Sequence, residues 1–456
     1  MEDRLSRRTK LIYGFGDTGF SLTTTIIGAY FAIFLTDVVG IAPATAAAAI
    51  FIGRTWDYIN DPIIGQLSDR TRTRWGRRRP FLLFGALPFA LMYILMWYRP
   101  PIASQVGLAA YYALAYVLFD TAATFVYMPF YALTPELTSN YDERTALTTY
   151  RMFFSIAGAL VAFTVPLLIV GTFQPQNAPH VLLMGAIFAA VSAAPLLLVF
   201  FGTRERQEYS EQAAPGVRES LRAAVKNKPF IFGVVIFLLT WTCMDILEVT
   251  LLYFIKYVLQ REAQSDLFMA VIFVTAMGVL PFWEWLSRRW NKRLAYSAGV
   301  AFWAVVQIVL ILLGPASPLP LILGLCVLAG IGVSAAHVLP WSILPDAVEW
   351  DEWQTGERHE GLFYSLVTLS QKVASSIAIP LVLLMLQATG YVPAAAVQPP
   401  GAVLGIRLAI GPVPAVMLTI GIIFALRYPL SRESHQRVVR ELEARRKAPR
   451  GDPAHP

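Results

Sequence analysis

The chain has 456 residues, of which 56% are hydrophobic and 15% charged, with a mean hydropathy of +0.55. Soluble domains carry about 25% charged residues, so a water-soluble globular fold is excluded. Apolar runs recur at the roughly 20-residue length that crosses a bilayer, which implies a polytopic membrane protein. The formal charge of +7 does not argue for nucleic acid, because the basic residues gather in short segments beside the apolar runs, where they set topology. Cys243 and Cys326 both fall inside apolar runs and read as small buried residues, with no disulfide framework or metal motif. The charged start, MEDRLSRRTK, leads into an apolar run without a small-residue cleavage site, so it reads as a first span and not a removed signal.

Twelve membrane helices are predicted, at about 10–37, 42–67, 80–98, 107–135, 145–171, 180–202, 229–257, 265–287, 294–314, 318–344, 361–388 and 403–428. Lys and Arg collect in the N-terminus, SDRTRTRWGRRRP, the 203–228 segment, SRRWNKR and the C-terminal tail, all on one side. Both termini are therefore expected in the cytoplasm, in agreement with an even span count. The chain divides into a half at 1–202, a central loop at 203–228, a second half at 229–428 and a tail at 429–456. Basic loops follow the second helix of each half, a weak repeat of the kind found in transporters built from parallel six-helix halves around a midplane cavity. The first of these loops is similar to the G-x-x-x-D-R-x-G-R-R signature of the major facilitator superfamily, at Gly65, Asp69, Arg70, Gly76, Arg77 and Arg78. It is either a positive-inside anchor or a latch. As a latch, Asp69, Arg70 and Arg77, with Asp346 and Glu349 after helix 10, are expected to form cross-half or helix-end pairs that close the cytoplasmic side.

Polar residues inside the spans carry the chemistry, because an intramembrane charge is costly and normally faces a cavity or a partner. Helix 2 contains GRTWDYINDP, with Arg54, Asp57, Asn60 and Asp61 in what should be hydrocarbon. Asp57 and Asp61 are four apart and share a face; Arg54 is one turn earlier on the same side. The pair repels itself unless a cation, a proton or Arg54 lies between, and oxygen ligands, Asn60 included, suit hard cations. A cation or proton site is the expectation; a structural Arg–Asp cluster is the alternative. Helix 4 carries Asp120, Thr121, Thr124 and Tyr127, helix 5 begins near Arg151, and helix 7 carries Asp245 and Glu248. Lys372 lies roughly 16 Å along helix 11, too deep for easy snorkelling, and so faces a watery cavity or a carboxylate. Tyr127, Tyr131 and Trp341 read either as packing or as stacking faces for a substrate, and His337 as a hydrogen-bonded helix residue. No P-loop, no nucleophile elbow and no His/Cys metal spacing is present, so no enzyme or ATP motor is expected, and a secondary transporter is favoured.

Nearly the whole chain resembles the glycoside–pentoside–hexuronide:cation symporters, the family of melibiose permease. The resemblance is carried by KLIYGFGDTGF, FLTDVVG, GRTWDYINDPIIGQLSDRTRTRWGRRRPF, MPFYALTPELT, DERTALTTYRMFFSIAG, ILPDAVEWDEWQTGERHEGLFYSL and ALRYPLSRESH. It implies an all-α major facilitator fold and a Na+- or H+-coupled symporter of a sugar-type solute, working by alternating access with no other cofactor. The implied cation site is Asp57, Asp61 and Thr124, and the implied substrate residues include Arg151 and Lys372. The family's helix-1 and helix-4 aspartates that hold galactoside hydroxyls align with Ser21 and Tyr127, and its helix-4 tryptophan with Tyr131, so a galactoside site of that kind is not implied. LFDTAATFVYMPFYALTPELT and ERTALTTYRM are also similar to the sodium-dependent lysophospholipid transporters, which implies an amphipathic substrate as the alternative. A non-transporting receptor or scaffold is the third reading, and the buried Asp57, Asp61 and Lys372 argue against it. The expected setting is a monomer in the inner membrane, with the bilayer and a small or amphipathic solute as partners.

Overall fold

A computed structural model describes residues 5–138, 141–205, 226–355, 360–430 and 432–447; most of the predicted central loop, the 356–359 stretch and the end of the tail lie outside the described residues. The helices are α1 (Arg7–Ile33), α2 (Pro43–Arg70), α3 (Arg79–Trp97), α4 (Gln105–Ala132), α5 (Tyr141–Val170), α6 (Ala178–Gly202) and α7 (Lys228–Tyr253). They continue with α8 (Ser265–Arg289), α9 (Lys292–Leu310), α10 (Leu319–Thr355), α11 (Glu360–Ala388), α12 (Pro400–Ile410), α13 (Pro412–Leu426) and α14 (Arg432–Lys447). Their starts follow from local chemistry. Ser6, Ser104, Asn227 and Asn291 each accept a hydrogen bond from the backbone N–H three residues on, and prolines occupy the first turns of α2, α3, α7 and α12, where no N–H is needed.

Among the described residues, eleven segments are long and apolar enough to cross a membrane. The remaining long helix is α2, whose 28 residues include Arg54, Asp57 and Asp61; with it the count is twelve, as expected. The twelfth span is broken at Gly411 into α12 and α13, because Pro412 cannot donate to the helical ladder. The tenth runs on to Thr355, past the predicted end at 344 and through Pro340 and Pro345, and its extension docks on α14 through Trp353 Nε1, which donates to Glu441 Oε2 at 2.6 Å.

The first six spans and the last six each pack mainly among themselves, and the two sets meet through α2 with α11, α5 with α8 and α1 with α7. Arg77, Arg78 and Arg79 all donate backbone N–H groups to the Glu205 carboxylate. Gly76, at φ +106°, is required there because a Cβ would collide with Glu205. Arg78 pairs with Asp69, and both Arg77 and Arg78 reach Glu136, at 2.5 and 3.0 Å. Of the two kinds of pair expected for Asp69, cross-half or helix-end, the structure shows the helix-end one: its partner lies nine residues away in the same half, in a turn that folds back on the end of α2. Arg70 is exposed.

The contact that does join the halves is at the opposite end. Both α1 and α7 finish in a π-helical turn, Phe34–Val39 and Phe254–Val258. These turns bring Asp37 against Lys256 at 2.5 Å. Asp37 is fully buried and also accepts from Thr36, Tyr257 and Tyr391, while Lys256 donates to the Phe173 carbonyl at 2.6 Å. The sequence reading ended helices 1 and 7 at 37 and 257 and gave Asp37 and Lys256 no role. Breaking a buried ion pair from one side typically costs about 3–5 kcal/mol, because the survivor is left uncompensated. Asp37→Leu is therefore expected to lower the thermal midpoint in detergent sharply, and Lys256→Met to cost less in that background than in the wild type. Equal costs in both backgrounds would show that the pair is uncoupled.

Candidate cation and substrate site

The i,i+4 spacing of Asp57 and Asp61 places both carboxylates on one face of α2. Between them stands Lys372 Nζ from α11, 2.8 Å from Asp57 Oδ2 and 2.5 Å from Asp61 Oδ2. All three side chains remain partly accessible, at 20%, 22% and 31%. Thr124 Oγ1 on α4 donates to the second oxygen of Asp61 at 3.4 Å. Tyr58 Oη donates to the Lys372 carbonyl at 3.2 Å, and Trp56 Nε1 to Thr121 Oγ1 at 2.9 Å, which fixes α2 between α4 and α11. Asn60, expected to face a cation, donates to the Asp120 carbonyl at 3.4 Å.

Arg54 is placed differently from expectation. It does not stand between the two aspartates; its Nη1 donates to the Ser375 carbonyl at 3.4 Å, and Ser375 Oγ in turn donates to Asp245 on α7. One turn of helix carries its long side chain past Asp57, and α11 delivers Lys372 to the position between the carboxylates. Charge balance at Asp57 and Asp61 thus comes from the other half of the molecule. Glu248 packs against α1, where Gly28 leaves no room for a Cβ beside the carboxylate.

A second polar group lies across α1, α4 and α5. Tyr131 Oη donates to Asp17 Oδ1 at 2.9 Å, Arg151 Nε is 4.0 Å from Asp17 Oδ2, and the Arg151 guanidinium covers the Tyr131 ring at 4.8 Å. Asp17 stands one turn before Ser21 within KLIYGFGDTGF, and that place was the available signal in the sequence. Ser21 itself donates to the Ser155 carbonyl at 2.5 Å. The Tyr127 ring is buried against Phe20, Phe89 and Tyr131, and its hydroxyl has no hydrogen-bond partner among the described residues. Neither residue offers a free carboxylate-like acceptor. On α7 and α10, Trp341 packs on Phe237 and Trp241, and Trp241 lies 5.2 Å from the exposed His337 ring.

Asp346 and Glu349, expected in the latch, instead hold the tail. His435 Nε2 on α14 is 2.5 Å from Glu349 Oε2 and 3.4 Å from Asp346 Oδ1, and Lys292 Nζ is 2.5 Å from Asp346.

Two halves of six spans with a charged midplane site define a secondary transporter of the major facilitator class. The sequence profile of the MFS/sugar transport protein family matches residues 12–432, so the chain belongs to that family. An uncharacterized symporter of Synechocystis sp. is 33% identical over 97% of this chain and 98% of its own length. A sodium-dependent lysophosphatidylcholine symporter of Danio rerio is 30% identical, covering 94% of this chain and 86% of that one. Among solved structures, a D-xylose-proton symporter has the same fold, with a TM-score of 0.66 at 14% identity over 92% of this chain and 97% of that one.

The tail contact carries a pH dependence. The hydrogen bond to Glu349 raises the His435 pKa above its ordinary value, helped by Asp346 and opposed by burial and by Lys292. A raised folded value means that the docking free energy is fully present below the unfolded value of about 6.5 and is lost as pH rises through the folded one. A spin label at Arg440→Cys should accordingly be immobilised near pH 6 and freer near pH 9, with the difference abolished by His435→Gln. Equal mobility at both pH values would contradict this.

Proposed function

We propose that the protein couples solute uptake to a cation, Na+ or H+, that Asp57 and Asp61 hold with help from Thr124. The carrying observation is the Lys372 ammonium bridging both carboxylates, at 2.8 and 2.5 Å. A group of two carboxylates and one ammonium has a formal charge of −1, so a cation competes with Lys372 for the same oxygens. Because Lys372 belongs to α11 and the carboxylates to α2, cation binding changes how firmly the halves are joined and frees an ammonium toward the cavity. A ligand that favours one arrangement in this way shifts the population by its differential affinity. The basic loops support cytoplasmic termini in an inner membrane, and the described contacts between halves, which run from the midplane to the opposite end, correspond to a conformer closed on the outside.

For the solute, an amphipathic molecule with an anionic group is the reading we favour. Arg151 and Lys372 supply cations, Ser21 and Tyr127 replace the carboxylates that would take sugar hydroxyls, and the Danio rerio relative carries lysophosphatidylcholine in its name. A sugar-type solute is the second reading, supported by the family's description and by the ring faces of Tyr131, Trp241 and Trp341.

Asp57→Asn or Asp61→Asn removes charge at nearly constant volume. Either is expected to leave the protein folded while ligand affinity loses its dependence on Na+ and on pH; variants that keep the wild-type dependence would place the cation elsewhere. Lys372→Ala should still reach the membrane but fail to accumulate solute, and normal accumulation would remove Lys372 from the mechanism. Thermal stabilisation by lysophosphatidylcholine, compared with a panel of glycosides and each measured with and without Na+, separates the two solute classes, since a ligand stabilises the fold it binds.

A further inference from the structure

A cavity of about 400 Å³ opens at the basic end of the second half, away from the midplane site. It is enclosed by the α8–α9 turn, the far part of α10, the end of α13 and the start of α14, with Asn291, Lys292, Arg293, Asp346, Tyr428 and His435 in its walls. The one carboxylate in this lining, Asp346, is already compensated by Lys292 at 2.5 Å and His435 at 3.4 Å. Two other groups are not. Tyr428 is 4% exposed, and its hydroxyl is buried without a hydrogen-bond partner among the described residues. Arg293 is half-buried; its guanidinium lies 5.6 Å from the Tyr428 ring and makes no hydrogen bond or ion pair among the described residues. Buried polar groups are normally satisfied; the Tyr428 hydroxyl is not, and the half-buried Arg293 guanidinium beside it is a donor that shares the same cavity.

We propose that this cavity binds a phosphoryl-bearing ligand, of the size of a glycerophosphoryl group, through Arg293 and Tyr428. A guanidinium fork matches phosphate oxygens in bidentate geometry, and a phenol hydroxyl completes the set. The volume exceeds what a lone phosphate fills, and the remaining wall includes the apolar Ile343 and Leu430, which suits a carbon-bearing group. Because the walls come from α9, α10, α13 and α14, the ligand ties the tail helix to the α8–α9 turn. The phosphoryl group comes either from a phospholipid headgroup at the membrane surface or from a soluble phosphate ester.

The test is the thermal midpoint of the full chain in a phosphate-free maltoside detergent, titrated either with phosphatidylglycerol or with glycerol 3-phosphate. The wild type is expected to be stabilised in a saturable way. Arg293→Gln should weaken the apparent affinity about tenfold or more, and Tyr428→Phe severalfold, as expected for charged and neutral hydrogen bonds. Arg289→Gln, which alters an exposed arginine of the same turn, should change neither. A response to phosphatidylglycerol alone assigns the lipid source, and a response to glycerol 3-phosphate the soluble one. No saturable response to either probe, or an equal response in Arg293→Gln and the wild type, overturns the proposal.

Discussion

The arrangement rests on one constraint: charge placed in hydrocarbon must find opposite charge. Transferring an ion from water to a low-dielectric interior costs several kcal/mol even after relaxation, and a membrane core offers no bulk water in compensation. Asp57 and Asp61 on α2 cannot be satisfied by their own half, because Arg54 leads away to Ser375. They are satisfied by Lys372, which the other half supplies. The ion group therefore does two things at once. It makes a polar α2 tolerable, and it sets the contact between the two halves at the midplane.

Two cross-half ion contacts differ in how completely they are balanced. At the π-helical ends of α1 and α7, Asp37 accepts from Thr36, Lys256, Tyr257 and Tyr391, and Lys256 has a carbonyl and Glu262 at 3.7 Å besides. That network is buried and closed, and a satisfied network of this kind is rigid. The midplane group carries an excess negative charge and stays partly accessible. The midplane group has unmet demand for positive charge and the Asp37 network has none. Separating the halves at the Asp37 end has to break the closed network.

Much of this was legible in the sequence, and the failures have a common cause. Spans are written in composition, the shared face of Asp57 and Asp61 follows from 3.6-residue periodicity, and the depth of Lys372 in its helix announced a buried partner. What could not be read was which cation meets which carboxylate. Arg54 is closer to Asp57 along the chain, but Lys372 is the residue that α11 brings into register, and no one-dimensional spacing encodes that. The same holds for Asp69, whose partner is decided by the fold of a turn, and for Tyr127, whose ring turned into packing while its neighbour Tyr131 took up Asp17. Asp37 was missed because it falls at the predicted end of helix 1, and the π-helical turn that carries it inward gives no clear local signal.

α2 is also where two charge systems are kept apart by one turn of helix. Asp57 and Asp61 face Lys372, whereas Arg54 faces Ser375 and, through it, Asp245 of α7. Were Arg54 to fold back onto Asp57, the aspartate group would carry a formal charge of −1 without Lys372, and α11 would have a weaker electrostatic reason to stay against α2. By spending Arg54 on the α7 side, the chain leaves its two carboxylates in need of a cation that only α11 or the solution can provide. That division explains why α2 alone among the long helices falls short of the apolar character of a membrane span. Charges of this kind normally face a partner or a cavity, and α4 and α11 pack against α2 on the sides that carry Asp61 and Lys372 contacts.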